Sequence, residues 1–443
     1  MSQRLVILPR MVRLSAAEVF TPTAYPNYTY VPRDELHHER LLRQWRESST
    51  QIASVSGPSK AGKTVLVQRV AGKDHLITVS GASVRVPDQL WDRVLDWWGE
   101  PHSTTASRLD MTSEQKATDR GVTLGVAGTG ATSKSANTSG TSLTDGSLAT
   151  VNRRGLPQVV HELAGTQFTV LLDDFHYIPS AIQGDVAQQL KDAASRGVRI
   201  CVASVPHRAD NVVRALPELR GRVLSVDLDY WSKRDLLEIP RLGCELLGIH
   251  VDPISLAMFA TEAAGSPQLM QSICLWMCNH LGVHETLASS RAVTLDEAAR
   301  REILRLTSYT VDFRSLVRLL ASGPRTRPDQ RKKYNHHDGI KADVYLTLLR
   351  AVALDPPKLA IEYAELTRRL EELCKGSEHP DGASIVRTCG ALGQIAGSCA
   401  APTGPSLEWD EQEQEQVLVL TDPYLLFYLR WSGILERVAD AES

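Results

Sequence analysis

Short apolar runs alternate with amphipathic stretches through the first half of the chain. Ile52, Ala53 and Val55 belong to one run, His75–Val79 to a second and Gln167–Leu172 to a third, with Val198–Ser204 and Val223–Leu228 completing the set. Runs of this length, bounded by turn residues, read as buried strands. The stretches between them carry apolar positions at helical spacing. Leu90, Trp91, Val94, Leu95 and Trp98 mark a helix over Pro87–Trp98, and others are expected over Leu156–Leu163 and Gly184–Ser195. Strands that alternate with helices predict a parallel sheet covered on both faces. Ahead of the first strand, Tyr28–Arg33 leads into a helix over Asp34–Arg46, with Leu36, Leu41, Leu42 and Trp45 on one face.

Beyond the fifth strand the period stays helical. Helices are expected over Trp231–Leu247, Ile254–Ala264, Gln268–Leu281 and Leu295–Thr307, the last started by Thr294 and Glu297 spaced as a capping box. The C-terminal part changes pattern. Helices over Ala342–Leu354, Leu359–Leu373 and Ala383–Ala396 precede a strand at Val417–Leu420 and a terminal helix from Asp422. Three helices followed by a strand pair is the order of a winged helix-turn-helix. The expected organisation is a loose N-terminal arm (1–27), an α/β core (28–235), a helical lid (236–310), a basic linker (311–340) and a winged-helix domain (341–443). Within the core, the segment from about 99 to 154 is rich in Gly, Ser, Thr and Ala. It cannot supply a hydrophobic core and reads as a mobile insertion, the alternative being a small-residue hairpin that orders on contact with a partner.

Composition narrows the class without choosing a function. The chain has 443 residues, 42% of them hydrophobic and 23% charged, with a net charge of −3. That balance argues against a protein that coats nucleic acid electrostatically. Seven cysteines without a CxxC pair read as reduced thiols, and Cys274, Cys278 and His280 as core residues of a helix rather than a zinc site. No window approaches a membrane span and the N-terminus lacks a secretory signal, so the expected location is cytoplasmic.

Chemistry enters at the end of the first strand. Gly57-Pro58-Ser59-Lys60-Ala61-Gly62-Lys63-Thr64 follows it and opens a helix at Val65. A glycine loop between strand and helix turns backbone N–H groups toward a phosphate, with Lys63 reaching the terminal phosphates and Thr64 ligating Mg²⁺. The third strand ends in Asp173-Asp174, where the first carboxylate can hold the Mg²⁺ shell and the second can orient or activate water. Ser204 ends the fourth strand and is the candidate polar group for the γ-phosphate, with His207 and Arg208 just beyond. Arg222, preferred over Arg220, precedes the fifth strand as a cation for a neighbouring subunit's site. Tyr30, Val31 and Pro32 are candidates for a base pocket, and Pro267, after the break at Gly265-Ser266, for a lid contact. The third helix of the winged-helix segment offers only Arg387 and Gln394 to DNA, and its wing holds Glu408, Asp410, Glu411, Glu413 and Glu415. Such a wing repels phosphate, so protein docking is favoured there over DNA reading.

The motifs GPSKAGKT (57–64), VLLDDFH (170–176), VASVPHR (202–208), GRV (221–223), GSP (265–267) and DPYLLFYLRW (422–431) resemble the AAA+/STAND superfamily of P-loop ATPases. Within it the chain is similar to origin-recognition-like ATPases of archaeal type with C-terminal winged helices. The resemblance covers most of the chain from about residue 28. It implies a three-layer αβα P-loop NTPase fold with a lid and a winged helix, ATP and Mg²⁺ as cofactors, and assembly with other copies or with a separate sensor or effector protein. The paired aspartates look like STAND signalling ATPases, whereas many AAA+ motors carry Asp-Glu. The shorter Asp174 implies a slow, switch-like ATPase. Bacterial conflict systems use such stand-alone ATPases, an assignment by association only. The alternative is an ATP-dependent DNA loader using the winged helix and the basic residues Arg325, Arg327, Arg331, Lys332 and Lys333.

Overall fold

Five strands form one parallel sheet: β1 (Ile52–Ser56), β2 (Leu76–Ser80), β3 (Thr169–Asp173), β4 (Arg199–Ser204) and β5 (Val223–Asp227), in the order β2-β3-β4-β1-β5. The structure is a computed structural model. It describes residues 13–47, 51–99, 103–107, 148–152, 155–205, 221–324, 331–376, 378–399, 405–410 and 416–442. Every residue of β1 is buried, and β3 and β4 are buried along nearly their whole length, as strands covered on both faces must be. The strand period of two divides their side chains between two layers. Ile52, Ile77, Val170, Leu172, Ile200 and Val202 pack on one side, against helices α3 (Asp88–Trp98) and α5 (Ser180–Ser195). Ala53, Val55, Leu171, Cys201 and Ala203 pack on the other, against α1 (His38–Glu47) and α2 (Lys63–Ala71). The helix α4 (Leu156–Leu163) completes the first layer through Val159 and Leu163. The result is the expected three-layer αβα core. Because β4 pairs with both β1 and β3, the ends of all three strands lie side by side.

Helices α6 (Lys233–Leu247), α7 (Pro253–Glu262), α8 (Pro267–His280) and α9 (Glu297–Ser308) form the lid. Its core includes Phe259, Met270, Ile273, Cys274, Met277 and Cys278. The N-terminal arm is not loose where the structure describes it. Ser15 caps a single turn (Ala16–Val19) through a capping box with Glu18, and Leu14, Ala16, Val19 and Phe20 are buried in the lid core. Too few apolar residues are present there to show a period, although the burial is complete. A second correction concerns α9, which is capped by Asp296 accepting from Ala299 N–H, not by a box at Thr294. The carboxylate lies closer to the first free amides.

The C-terminal domain begins earlier than the sequence suggests. The helix α10 (Arg314–Ser322) and a hairpin (Lys333–Asn335 with Lys341–Asp343) lie in what reads as a linker, yet Val317, Leu320 and Ala321 are buried in the C-terminal core. The order then runs α11 (Val344–Val352), β6 (Ala360–Glu362), α12 (Tyr363–Leu373), α13 (Gly382–Ser398), β7 (Glu408–Asp410) and β8 (Val417–Val419). The strands form an antiparallel sheet in the order β6-β8-β7, which is winged-helix topology. The expected helix over Leu359–Leu373 therefore starts with a strand of three residues. The helix α14 (Pro423–Trp431) lies between the two cores: Tyr424 and Phe427 belong to the lid cluster, whereas Leu425, Leu426, Tyr428 and Leu429 belong to the C-terminal one. A last helix, α15 (Ile434–Glu442), packs beside it. Of the insertion, a hairpin between Ser103–Ser107 and Leu148–Asn152 is described. The rest of the insertion, with His207, Arg208, Arg220, Arg325, Arg327, Glu411, Glu413 and Glu415, lies outside the described residues.

Candidate nucleotide site

The loop from Gly57 to Gly62 links β1 to α2 and lies beside the ends of β3 and β4. Gly62 takes φ +95°, open to glycine at little cost, and places α2's first amides at the loop. Lys63 is buried. Its Nζ donates to the carbonyls of Gly57 at 2.8 Å and Pro58 at 2.9 Å. Burial pulls its ammonium below the ordinary lysine value, opposed by Asp173 and Asp174. Thr64 Oγ1 donates to Asp173 Oδ2 at 2.6 Å, so the two residues expected to share a metal ion, 109 positions apart in sequence, are in direct contact.

Asp174 follows in a left-handed conformation (φ +56°), its N–H bonded to Asp173 Oδ1 at 3.0 Å. Burial, then the charge of Asp173, pushes its carboxyl up to about 6. Gly81, after β2, lets this turn close, because a Cβ there would stand 2.3 Å from the Asp174 carbonyl. Ser204 is buried, and its hydroxyl has no hydrogen-bond partner among the described residues. Its carbonyl accepts from Gly57 N–H at 3.2 Å, which fixes it beside the loop.

These groups open into a cleft of about 1030 Å³. The arm, followed on past its boundary to Val31, contributes Thr21, Thr29, Tyr30 and Val31 to its walls, and the lid contributes Ile239, Pro267, Gln268 and Gln271. Among the predicted site residues, Val31, Pro58–Thr64, Asp173, Asp174 and Pro267 all line it, as does His176. Gly57 and Ser204 lie directly behind the loop. Arg222 does not join them. It is exposed at the opposite end of the strands, where its carbonyl accepts from N–H of Ile52, the first residue of β1. The predicted Pro32 is exposed.

Several residues of the site are invisible to motif reading. Trp231 Nε1 donates to the Ala61 carbonyl at 3.0 Å and ties the lid's entry to the loop. The winged-helix sheet supplies the far wall. Ala360, Glu408, Asp410, Val417 and Val419 line the cleft from its outer face, while Ile361 and Leu418 point into the domain core. The alternation in Glu408-Trp409-Asp410 and Val417-Leu418-Val419 is the only sequence signal for that wall. Lys60 of the loop lies 5.5 Å from the Tyr424 ring of α14. Lys60 and Asp174 both line the cleft with positive φ, and each such residue costs on the order of 1–3 kcal/mol. Backbone strain is therefore concentrated at this site.

The donor set fits a magnesium nucleotide. A hydroxyl and a carboxylate in contact are hard oxygen ligands of the kind Mg²⁺ takes, the buried ammonium suits phosphate oxygens, and the Ser204 hydroxyl remains to be bonded.

Strand order, phosphate loop and aspartate-ended β3 together define a P-loop NTPase fold with the strand arrangement of AAA+ proteins, carrying a lid and a winged helix. No protein-family model and no curated protein matches the chain. Among solved structures it is similar to the ORC2 protein of Aeropyrum pernix, in ADPNP–ADP complexes, at 12% identity and a TM-score of 0.46, covering 96% of this chain and 98% of that one. It is also similar to Cdc6p of Pyrobaculum aerophilum (13% identity, TM-score 0.42, 96% and 98% covered). The RuvB Holliday junction branch migration motor of Thermotoga maritima is matched over 66% of this chain and 78% of that one, at 11% identity and a TM-score of 0.39. The class rests on the chain's own strand order, register and motifs.

Proposed function

We propose that the protein is an ATP-binding, slowly hydrolysing, Mg²⁺-dependent regulatory ATPase whose nucleotide state sets the position of its C-terminal domain. One observation carries this reading: the Thr64–Asp173 contact of 2.6 Å opens into a cleft whose opposite wall is the winged-helix sheet. A ligand seated on the loop meets that domain directly.

The roles follow from the chemistry of each group. Lys63 exchanges its two carbonyl partners for phosphate oxygens and neutralises their charge. Thr64 and Asp173 would hold a Mg²⁺ ion, which would supply charge neutralisation at the phosphates. Asp174 orients water or accepts its proton, and its elevated affinity for protons suits a base. Ser204 donates its free hydroxyl to the terminal phosphate. Val31 and Pro267 bound the base end. Arg222, at the end of the strands opposite the loop, acts only on the site of a second copy, which makes a homo-oligomer the competent form. An aspartate is one methylene shorter than a glutamate, and the turn at Asp174 is pinned by its own neighbours, which supports slow turnover.

Nucleotide binding and phosphate release by the purified protein test the reading. ATP should bind with Mg²⁺ and turn over below about 1 s⁻¹, the lower edge of ordinary enzyme rates. Failure to bind ATP contradicts the site, and turnover in the tens per second contradicts the switch. A loader that binds DNA is the second reading, favoured by exposed Lys332, Lys333 and Lys341 on the hairpin and exposed Arg387 and Gln394 on α13. It requires salt-sensitive DNA affinity that falls when Lys332 and Lys333 are neutralised.

A further inference from the structure

Where the N-terminal segment lines the cleft, one buried amide of the lid holds it. Gln271 of α8 is 5% exposed, and its side chain is bonded at both ends. Nε2 donates to Thr29 Oγ1 at 2.7 Å, and Oε1 accepts from Thr21 N–H at 3.2 Å. The Thr29 hydroxyl donates in turn to the Val19 carbonyl at 3.0 Å, and Val19 is itself packed in the lid core. The arm is held from its other side as well. The Tyr30 hydroxyl donates to Glu39 Oε1 at 2.6 Å, and the Arg69 guanidinium lies 5.0 Å over the Tyr30 ring.

Thr29, Tyr30 and Val31 line the cleft, as do Pro267 and Gln271 of α8. Lys63, Thr64 and Asp173 come to it from the sheet. No regular secondary structure holds residues 21–31, so their place in the wall depends on side-chain bonds. Resting on the ATP reading above, we propose that Gln271 is a positioning residue for the nucleobase. By clipping the arm to the lid, it turns Val31, Tyr30 and the start of α8 into one wall for a flat heteroaromatic ring. An amide whose donor and acceptor are both used is suited to this, since no apolar residue of the same size replaces either bond.

The test separates the base from the phosphates. ATP and inorganic tripolyphosphate, each with Mg²⁺, are titrated into the full chain as wild type, Gln271→Leu, Thr29→Val and Thr29→Ser. Gln271→Leu and Thr29→Val should lose about tenfold in ATP affinity, the worth of one buried hydrogen bond, and change less than about twofold toward tripolyphosphate. Thr29→Ser, which keeps the hydroxyl, should match the wild type. Equal losses for both ligands, no loss for ATP, or Thr29→Ser behaving as Thr29→Val overturns the proposal. Should Gln271→Leu fail to fold, the Thr29 pair decides alone. A wild-type chain that binds neither ligand overturns the P-loop reading along with this one, whereas a wild type that binds both, with unchanged ratios in the variants, overturns only the role of Gln271.

Discussion

Lys63 contributes an ammonium that burial has already stripped of water, and its two carbonyl bonds are the ones a phosphate must replace. Lys63→Ala should therefore weaken ATP binding by about 100-fold or more, the loss of charge-assisted hydrogen bonds, as read by calorimetric titration. Normal affinity in that variant removes the loop from the site. Asp174→Asn keeps size and turn but cannot accept a proton. It should bind ATP within about threefold of wild type and hydrolyse it about 10²-fold more slowly, whereas unchanged turnover excludes Asp174 from the chemistry. His336 gives the chain a pH response far from the cleft. It is fully buried, its Nε2 pairs with Thr347 Oγ1 at 3.0 Å and its Nδ1 faces Arg350, which also bonds Asp338. Burial, then the Arg350 cation, pulls its value from 6.5 down to about 4. The unfolded chain takes up this proton near 6.5 and the folded chain only near 4, so the contribution is whole above 6.5 and is lost as pH falls toward 4. Denaturant titrations should show a loss of about 3 kcal/mol across that window, flattened by His336→Gln. An equally steep response in the variant would place the effect elsewhere.

At the scale of elements, α14 joins two cores and carries a buried ion pair between them. Arg430 Nε and Nη2 donate to the two oxygens of Glu262 on α7, at 2.9 and 2.8 Å, and Trp431 Nε1 donates to the same carboxylate at 2.7 Å. The side chains are 7% and 5% exposed. Breaking such a pair from one side leaves a buried charge, so Arg430→Met should cost about 3 kcal/mol in equilibrium unfolding, and Arg430→Met with Glu262→Leu should recover most of it. Simple additivity of the two losses contradicts the coupling. Strands β1, β3 and β4 were legible in the sequence because each is a continuous apolar run ending in a motif residue. The strand β6 was not, since three residues show no period and the run merges with α12. The helix α10 was masked by the charges around it, although Val317 and Leu320 face the C-terminal core. Site residues on the loop and at the end of β3 could be read because their spacing is local. Trp231, Gly81 and Gln271 could not, because each acts through a partner between 93 and 250 positions away, and no local pattern encodes the pairing.

For the molecule as a whole, the shared helix α14 makes the lid and the winged helix one body. Rotating one against the other would expose Tyr424 and Phe427 and break the Glu262–Arg430 pair. The bond between Ser272 Oγ and the Tyr424 hydroxyl, at 2.9 Å, adds to that coupling. Movement driven from the cleft is therefore expected at the junction of core and lid, residues 228–232, where Trp231 touches the loop. Glu408, Asp410 and Asp422 line the cleft opposite the loop, so on the proposed reading the charge of a bound triphosphate should push the C-terminal wall away from the core. Energy transfer between two dyes measures this displacement directly. Cys399 on the C-terminal domain is exposed while the other six cysteines are buried, so it accepts one dye, and Ser195→Cys at the end of α5 accepts the second. ATP with Mg²⁺ should change the transfer efficiency, ADP should change it less, and Lys63→Ala should abolish the response. Tight ATP binding with no change in efficiency would contradict the coupling of nucleotide state to the C-terminal domain.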